Sequence, residues 1–157
     1  MHPSWYPLIG EHDLTIDDKG RLLVPADIRK RLEQSSETET LILVNMGGQA
    51  FLYPEKFHLS RYATFTIGGV LPTVQEQMLQ RALFGPSSRL VWDKQGRILL
   101  SPKLIGTYKL QREITLVCAG DRLELWNRLA WVDEQRHMTE QMPALIANMS
   151  KRPDPAV

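Results

Sequence analysis

Short apolar runs separated by turn residues recur along the chain and predict two β-hairpins. The first would join Leu41–Val44 to Ala50–Tyr53, and the second would join Ile114–Ala119 to Leu123–Trp126. Gly-Gly separates the first pair of runs and Gly-Asp the second, and both dipeptides are typical of hairpin turns. We therefore expect one hairpin in each half of the chain.

Helical patterns flank these hairpins. We predict short helices before them, over Ala26–Leu32 and Lys103–Tyr108, and further helices after them, beginning near Pro54 and at Asn127. Proline suits the first turn of a helix, and asparagine suits the position just before it. Between the halves, Val74–Phe84 has helical periodicity with one apolar face.

The two halves share a motif, Asp-x-x-Gly-Arg followed by three aliphatic residues and a proline. It occurs as Asp17–Pro25 and again as Asp93–Pro102, where Ser101 adds one residue before the proline. A β-prone segment precedes each copy, Leu14–Ile16 and Leu90–Trp92. This self-similarity indicates a repeat. Because one half is too small to close a core, we expect the aliphatic triplets to pack together in one pseudo-symmetric domain.

The order of these elements predicts an α+β fold. Each half would contribute a strand, a tight turn, a second strand, a short helix, a hairpin and a closing helix. We assign residues 8–65 to the first repeat, 66–87 to a linker with the middle helix, and 88–150 to the second repeat.

Composition limits the classes of function. The 157 residues are 43% hydrophobic and 24% charged, which is typical of a globular protein, and the formal net charge is +1. Any surface for nucleic acid must therefore be a local basic patch. The single cysteine, Cys118, lies in an apolar run, so we expect a buried thiol in a reducing cytosol. The chain has no signal-peptide pattern and no apolar run of the roughly 18 residues that a membrane helix needs.

Patterns for catalysis and metal binding are absent from the sequence. The four histidines share no metal-ligand spacing. No phosphate-binding loop and no nucleophile elbow occurs. We expect a protein without enzymatic activity, bound metal or cofactor.

The turn of each motif is the main candidate for function. Gly20 and Gly96 stand where a tight turn needs a positive φ, which glycine adopts freely. Two interpretations are open for the aspartate of each turn. It either forms an ion pair with the arginine and shapes the loop, or it does not pair with the arginine. For the arginines we favour exposure at the loop tip, where a guanidinium can bind phosphate or guanine.

Basic residues are denser around the first motif than around the second. Those of the first are Lys19, Arg21, Arg29, Lys30 and Arg31. Those of the second are Lys94, Arg97 and Lys103. The run from 29 to 31 is either part of a DNA-binding patch or a solvated helix face, and several copies in one assembly would multiply weak contacts.

Aromatic residues beyond the needs of a small core predict a homo-oligomer larger than a dimer, with head-to-tail contacts that close into a ring. These residues are Trp5, Tyr6, Phe57, Tyr62, Trp126 and Trp131. We expect Trp92, Trp126 and Trp131 to anchor the core or a subunit interface rather than to stack on bases.

The sequence resembles the MraZ family of transcription regulators, which has tandem AbrB/SpoVT-like repeats. Two Asp-x-x-Gly-Arg turns in register carry the resemblance, together with Gly10-Glu11-His12 and the strand Leu123–Trp126 followed by Trp131. The likeness extends from about Gly10 to Met149.

The resemblance implies two pseudo-symmetric AbrB-like swapped-hairpin half-domains that form one β-barrel-like core with flanking helices. It also implies a homo-oligomeric ring, octameric or larger, in the cytoplasm and on the nucleoid. The partner would be double-stranded DNA at promoter direct repeats, and the regulator would repress the division and cell-wall gene cluster.

By position, the resemblance implies DNA contacts from Lys19 and Arg21, with Arg29 and Lys30 in support, and a loop-shaping role for Asp17.

In the second motif, Asp93 and Arg97 match the family, and a structural or interface role for them is equally open. The chain departs from the family at Ile105, where members commonly carry arginine. We therefore expect the first motif to dominate DNA binding.

Two other classes of function remain open. One is an AbrB-like antitoxin, although such proteins usually have one half-domain and a long disordered tail, and this chain has a full second repeat. The other is a ring-forming interaction protein without DNA binding, which the near-neutral charge would suit.

Overall fold

The structure is a computed structural model that describes residues 7–36, 40–56, 58 and 72–151. The strands within this part of the chain are β1 (Leu8–Thr15), β2 (Arg21–Leu23), β3 (Thr40–Met46), β4 (Gln49–Pro54), β5 (Ser88–Val91), β6 (Arg97–Leu99), β7 (Glu113–Gly120) and β8 (Leu123–Asn127). The helices are α1 (Ala26–Ser36), α2 (Val74–Phe84), α3 (Pro102–Thr107) and α4 (Arg128–Met149). Our expectations for Trp5, Tyr6, Phe57, Tyr62 and residues 59–71 lie outside the described residues.

Six strands form one antiparallel sheet in the order β1-β7-β8-β4-β3-β5, and β2 pairs with β6 in a separate two-stranded sheet. Strands β1, β3 and β4 of the first half correspond to β5, β7 and β8 of the second. Exchanging each strand for its counterpart gives the same order, read from the opposite edge of the sheet. The first strand of each half, β1 or β5, pairs with the hairpin of the opposite half. The two halves thus share one sheet, in the α+β class that the sequence predicted.

The barrel-like closure expected from the resemblance is wrong for the described strands. Their order is linear, with β1 and β5 at the two edges. The reason is that β2 and β6, which could have linked the edges, pair only with each other. Their inward residues join the same hydrophobic cluster as the large sheet, so this pair packs against the sheet instead of extending it.

The core combines the aliphatic triplets of both motifs. Leu22 and Ile98 are cross-strand partners, and both have 0% of their surface exposed. Val24 and Leu100 are also buried. Because side chains alternate along a strand, Leu23 and Leu99 point the other way and are exposed. The predicted contact between the triplets is therefore confirmed for their inward residues.

Several elements differ in length from the sequence prediction. β1 spans Leu8–Thr15, whereas the apolar pattern indicated only Leu14–Ile16. Of the added residues, Leu8 is buried in the core cluster and most of the others are exposed, and all are held by pairing with β7 at the edge of the sheet. α1 extends to Ser36, beyond the predicted end at Leu32.

α2 begins with a capping box: the Thr73 hydroxyl accepts from the Glu76 N–H at 3.2 Å, and the Glu76 carboxylate accepts from the Thr73 N–H at 2.6 Å. The helix has no buried residue, and its apolar side chains at Val74, Met78 and Leu79 are exposed. The predicted apolar face of the middle helix is therefore uncovered in the described part of the chain.

The chain divides into two compact units, residues 1–127 and 128–157. The second unit contains α4, a helix of 22 residues with Pro143 inside it. Its last two turns expose Leu145, Ile146 and Met149. No helix in the described ranges is long and apolar enough to cross a membrane.

Candidate functional site

The first motif folds into a tight turn organised by Asp17. Its Oδ1 accepts from the backbone N–H of Lys19 and of Arg21, each at 2.9 Å, and its Oδ2 accepts from the Nε of Arg21 at 2.7 Å. The N–H of Gly20 donates to the Asp17 carbonyl at 2.9 Å, and Gly20 has a φ of 77°. A Cβ at Gly20 would lie 2.5 Å from the carbonyl oxygen of Leu100, so glycine is required for space as well as for conformation.

The second motif repeats this geometry. Asp93 Oδ1 accepts from the N–H of Gln95 at 2.9 Å and of Arg97 at 3.0 Å, and Oδ2 accepts from the Nε of Arg97 at 3.1 Å. Gly96 has a φ of 83°. Of the two interpretations left open by the sequence, the aspartate that pairs with the arginine and shapes the loop is the one found in both turns.

These hydrogen bonds stabilise the ionised carboxylates. The pKa of Asp17 is lowered from its usual 3.8, chiefly by the backbone N–H of Arg21. The pKa of Asp93 is lowered in the same way, chiefly by the backbone N–H of Arg97. Both carboxylates therefore stay ionised at a lower pH than an ordinary aspartate does.

The arginines are less exposed than predicted. The side chain of Arg21 is 30% exposed and that of Arg97 is 29% exposed. Each arginine opens the strand that follows the turn, and the aspartate holds its Nε, so Asp18 and Lys19 form the tip of the first loop instead. Since only the Nε is engaged by the aspartate, the terminal nitrogens of each guanidinium can donate to another partner.

β2 and β6 bring the two motifs together on one surface. Arg21 lies opposite Leu99, and Leu23 lies opposite Arg97. These four residues alternate with the buried pair at the centre of the strands, so they share the outer side, where Leu23 is 50% and Leu99 is 59% exposed. We call this surface, defined by Arg21, Leu23, Arg97 and Leu99, the ribbon face.

Arg29 is close to Lys19 and Arg21 in sequence. In the structure, its guanidinium lies at the second turn instead. Its Nε donates to the carbonyl of Val24 at 3.0 Å, and a Cβ at Gly96 would overlap its guanidinium. The cause is the antiparallel pairing: the end of β2, where α1 begins, lies beside the start of β6, where the second turn ends. Lys30 is the next residue on α1 and is exposed.

Arg112 is a further cation near the first turn that sequence analysis missed. Its Nη1 donates to the Asp18 carboxylate at 2.9 Å, and its carbonyl accepts from the N–H of Ile16 at 2.9 Å. It lies just before β7, far from the motif in sequence, so only the pairing of β1 with β7 reveals the contact. Both side chains are well exposed, so the ion pair adds little stability.

A second polar cluster lies at the hairpin of β7 and β8. The nearly buried Glu124 accepts from Arg122 Nη2 at 2.7 Å and from the indole N–H of Trp126 at 2.9 Å. Arg122 also pairs with Asp121 at 3.0 Å, and its guanidinium lies 4.5 Å from the centre of the Phe51 ring. This network links the two hairpins and is structural. Of this cluster, the sequence indicated only the hairpin turn and Trp126, which is half-buried.

Cys118 is half-buried, and Trp92 and Trp131 are buried. Burial, followed by the negative charge of Asp27, raises the pKa of the Cys118 thiol to about 11. Trp92 lies in the core cluster, as expected for a packing residue, and Trp131 of α4 is buried. Within the described residues, no group of three or more His, Cys, Asp or Glu side chains is placed to hold a metal ion.

Comparisons with known proteins point to one family. A family model described as "MraZ protein, putative antitoxin-like" matches residues 83–150. The Transcriptional regulator MraZ of Thioalkalivibrio sulfidiphilus is 33% identical over 123 residues, covering 78% of this chain and 81% of that protein. The protein of the same name from Moorella thermoacetica is 31% identical over 146 residues, covering 90% and 95%.

A third relative, the Transcriptional regulator MraZ of Neisseria meningitidis, is 30% identical over 138 residues, which is 88% of this chain and 91% of that protein. These three alignments cover between 78% and 90% of this chain. The chain belongs to the MraZ family.

Proposed function

We propose that the chain is a transcription regulator that binds double-stranded DNA sequence-specifically through the ribbon face. The observation that carries the proposal is the pairing of β2 with β6, which sets Arg21 and Arg97 from two distant motifs on one exposed surface. A two-stranded ribbon fits the major groove of B-DNA, where arginine binds the O6 and N7 of guanine. The relatives named transcriptional regulators support this function.

The residues of the first turn would have different roles in DNA binding. Arg21 would reach base edges or phosphate with its terminal nitrogens, since its Nε is engaged by Asp17. Lys19, exposed at the loop tip, would hold a phosphate. Asp17 and Gly20 would maintain the loop so that these cations meet DNA without reorganisation.

The other candidate residues extend this surface. Arg97 would act from the second turn, in a loop held by Asp93 and Gly96, and Arg29 and Lys30 would contribute from α1. The exposed Leu23 and Leu99 between the arginines leave an apolar centre that suits thymine methyl groups.

We propose further that the chain is built from two AbrB-like swapped-hairpin half-domains, residues 8–65 and 88–150, joined by residues 66–87. The exchange of β1 and β5 between hairpins supports this arrangement. The uncovered apolar face of α2 supports self-association, because exposed patches of this kind commonly mark protein interfaces. The assembly would be a ring of eight or more copies, in which weak contacts per copy add up on repeated DNA sites.

The biological role that follows is repression of the division and cell-wall gene cluster through direct repeats in its promoter, in the cytoplasm and on the nucleoid. No catalytic activity is part of this role. Light scattering at micromolar concentration should give at least eight chain masses, and a single chain mass would contradict the ring.

DNA binding is tested with the segment upstream of the gene that encodes the chain. Fluorescence anisotropy would compare this segment with a scrambled duplex of equal length and composition, over 50–300 mM salt. We expect preference for the native segment and a linear fall of log affinity with log salt. A ring that binds neither duplex would make the chain an interaction protein. Binding to a co-expressed toxin without DNA binding would make it an antitoxin.

A further inference from the structure

Arg29 lies against the turn of the opposite half. Its guanidinium covers Gly96, the residue before Arg97, and its Nε donates to the carbonyl of Val24. Val24 in turn donates its N–H to the carbonyl of Gly96 at 2.9 Å. Val24 thus connects α1 of the first half to the turn of the second half through two hydrogen bonds.

The first turn lacks the equivalent cation. The N–H of Arg29 donates to the carbonyl of Pro25, and the N–H of Ile105 donates to that of Ser101, so the two residues occupy the same turn of α1 and α3. Ile105 lies at Gly20 as Arg29 lies at Gly96: its Cδ1 is 3.6 Å from a Cβ placed on Gly20. The sites are therefore alike in backbone and different in charge.

Arg29 of α1 consequently lies at the second turn and not at the first. The second turn gains Arg29 and is followed along α1 by the exposed Lys30. The first turn gains an isoleucine, and the acidic Asp18 at its tip is paired with Arg112. Arg29 thus lies at the second turn, although in sequence it is nearer to the first.

We propose that Arg29 and Arg97 form one composite phosphate-binding site, made of the helix of the first half and the turn of the second. The proposal rests on the proposed DNA-binding function and names the residues that act together within it. Arg29 keeps its terminal nitrogens for phosphate because its hydrogen bond to the carbonyl of Val24 uses only the Nε.

The test is a pair of double-mutant cycles, measured as dissociation constants for the upstream segment. Arg29→Ala and Arg97→Ala are each expected to weaken binding by about tenfold or more, the usual effect of losing a charge-assisted hydrogen bond. Combined, they should weaken it by clearly less than the product of the single effects, because each removes part of one site. Arg29→Ala with Lys19→Ala of the first turn should give the full product, as independent sites do.

The second part of the test is a substitution expected to strengthen DNA binding. Ile105→Arg installs the missing cation at the first turn and should tighten binding and steepen the salt dependence by about one unit per engaged copy. Ile105→Met is the matched control and should leave both unchanged. This part of the test removes no existing contact of Arg29. Because Ile105 packs against the core, a melting experiment checks that both Ile105 variants remain folded.

The outcomes separate the two proposals. If the unmodified chain binds no DNA, the proposed function fails. If it binds DNA, the inference is overturned when Arg29 couples to Lys19 instead of Arg97, or when folded Ile105→Arg leaves affinity and salt slope unchanged.

Discussion

Leu22 and Ile98 face each other across β2 and β6, and neither side chain exposes any surface. The two residues come from different repeats, 76 positions apart in sequence. Their contact lies under the ribbon face and in the core of the large sheet, so the surface that would meet DNA and the core that joins the halves are two sides of one strand pair.

Leu22→Ala should therefore destabilise the whole shared core. We expect the free energy of unfolding to fall by about 2–5 kcal/mol, the range for deleting a buried leucine side chain. Urea denaturation would measure the change. Leu23→Ser is the control, since this neighbour is exposed and its replacement should cost no more than about 0.5 kcal/mol. Equal losses in the two variants would contradict the assignment of Leu22 to the buried side of β2 and of Leu23 to its exposed side.

Arg21→Ala should abolish specific DNA binding. Each lost contact is worth only about 1–3 kcal/mol, but every copy in a ring would lose it at once. Anisotropy with the native and scrambled duplexes would show the loss of preference. Arg21 is partly exposed, so its removal should shift the melting temperature only slightly. Unchanged affinity for the native duplex would place the DNA-binding surface elsewhere.

Lys19→Ala should have a different signature. Because Lys19 stands at an exposed loop tip, its removal should weaken binding to native and scrambled duplexes alike and reduce the salt slope by about one per engaged copy. Affinity measured for both duplexes across the salt series distinguishes this effect. A loss confined to the native duplex would mean that Lys19 reads bases.

Asp17→Asn should destabilise the fold in a pH-dependent way. The folded-state pKa of Asp17 lies below 3.8, so its stabilising effect is present above that pH and is lost as the pH falls through the folded pKa. The difference in melting temperature between variant and unmodified chain should be largest near neutrality and should shrink below pH 4. Asp93→Asn should behave alike. A difference that stays constant down to pH 2 would exclude the carboxylate charge as its cause.

Glu124→Ala should destabilise the junction of the hairpins. The substitution removes the acceptor for Arg122 and for the indole of Trp126 in a nearly buried position, and we expect a loss of about 2–3 kcal/mol. Trp126→Phe removes only one of these hydrogen bonds and should cost about 1 kcal/mol. Urea denaturation of both variants tests the order, and a larger loss for Trp126→Phe would mean that packing dominates there.

Features that depend on a few adjacent residues were accessible from the sequence. The Asp-x-x-Gly-Arg turns close hydrogen bonds between residues 17 and 21 and between 93 and 97, so their chemistry is local. The hairpins are local for the same reason, because each turn joins two adjacent apolar runs. The repeat itself indicated that both halves would adopt one backbone arrangement and share one core.

Features that depend on long-range pairing were decided only by the tertiary structure. The polar residues of β1 are a strand because β7, about 100 residues later, supplies their hydrogen bonds. Arg29 is eight residues from Arg21 in sequence, but it lies at the second turn because antiparallel pairing sets the end of β2 beside the start of β6. Local sequence determines the conformation of each segment, whereas burial of the aliphatic triplets selects which segments pair, and that pairing assigns each cation to its turn.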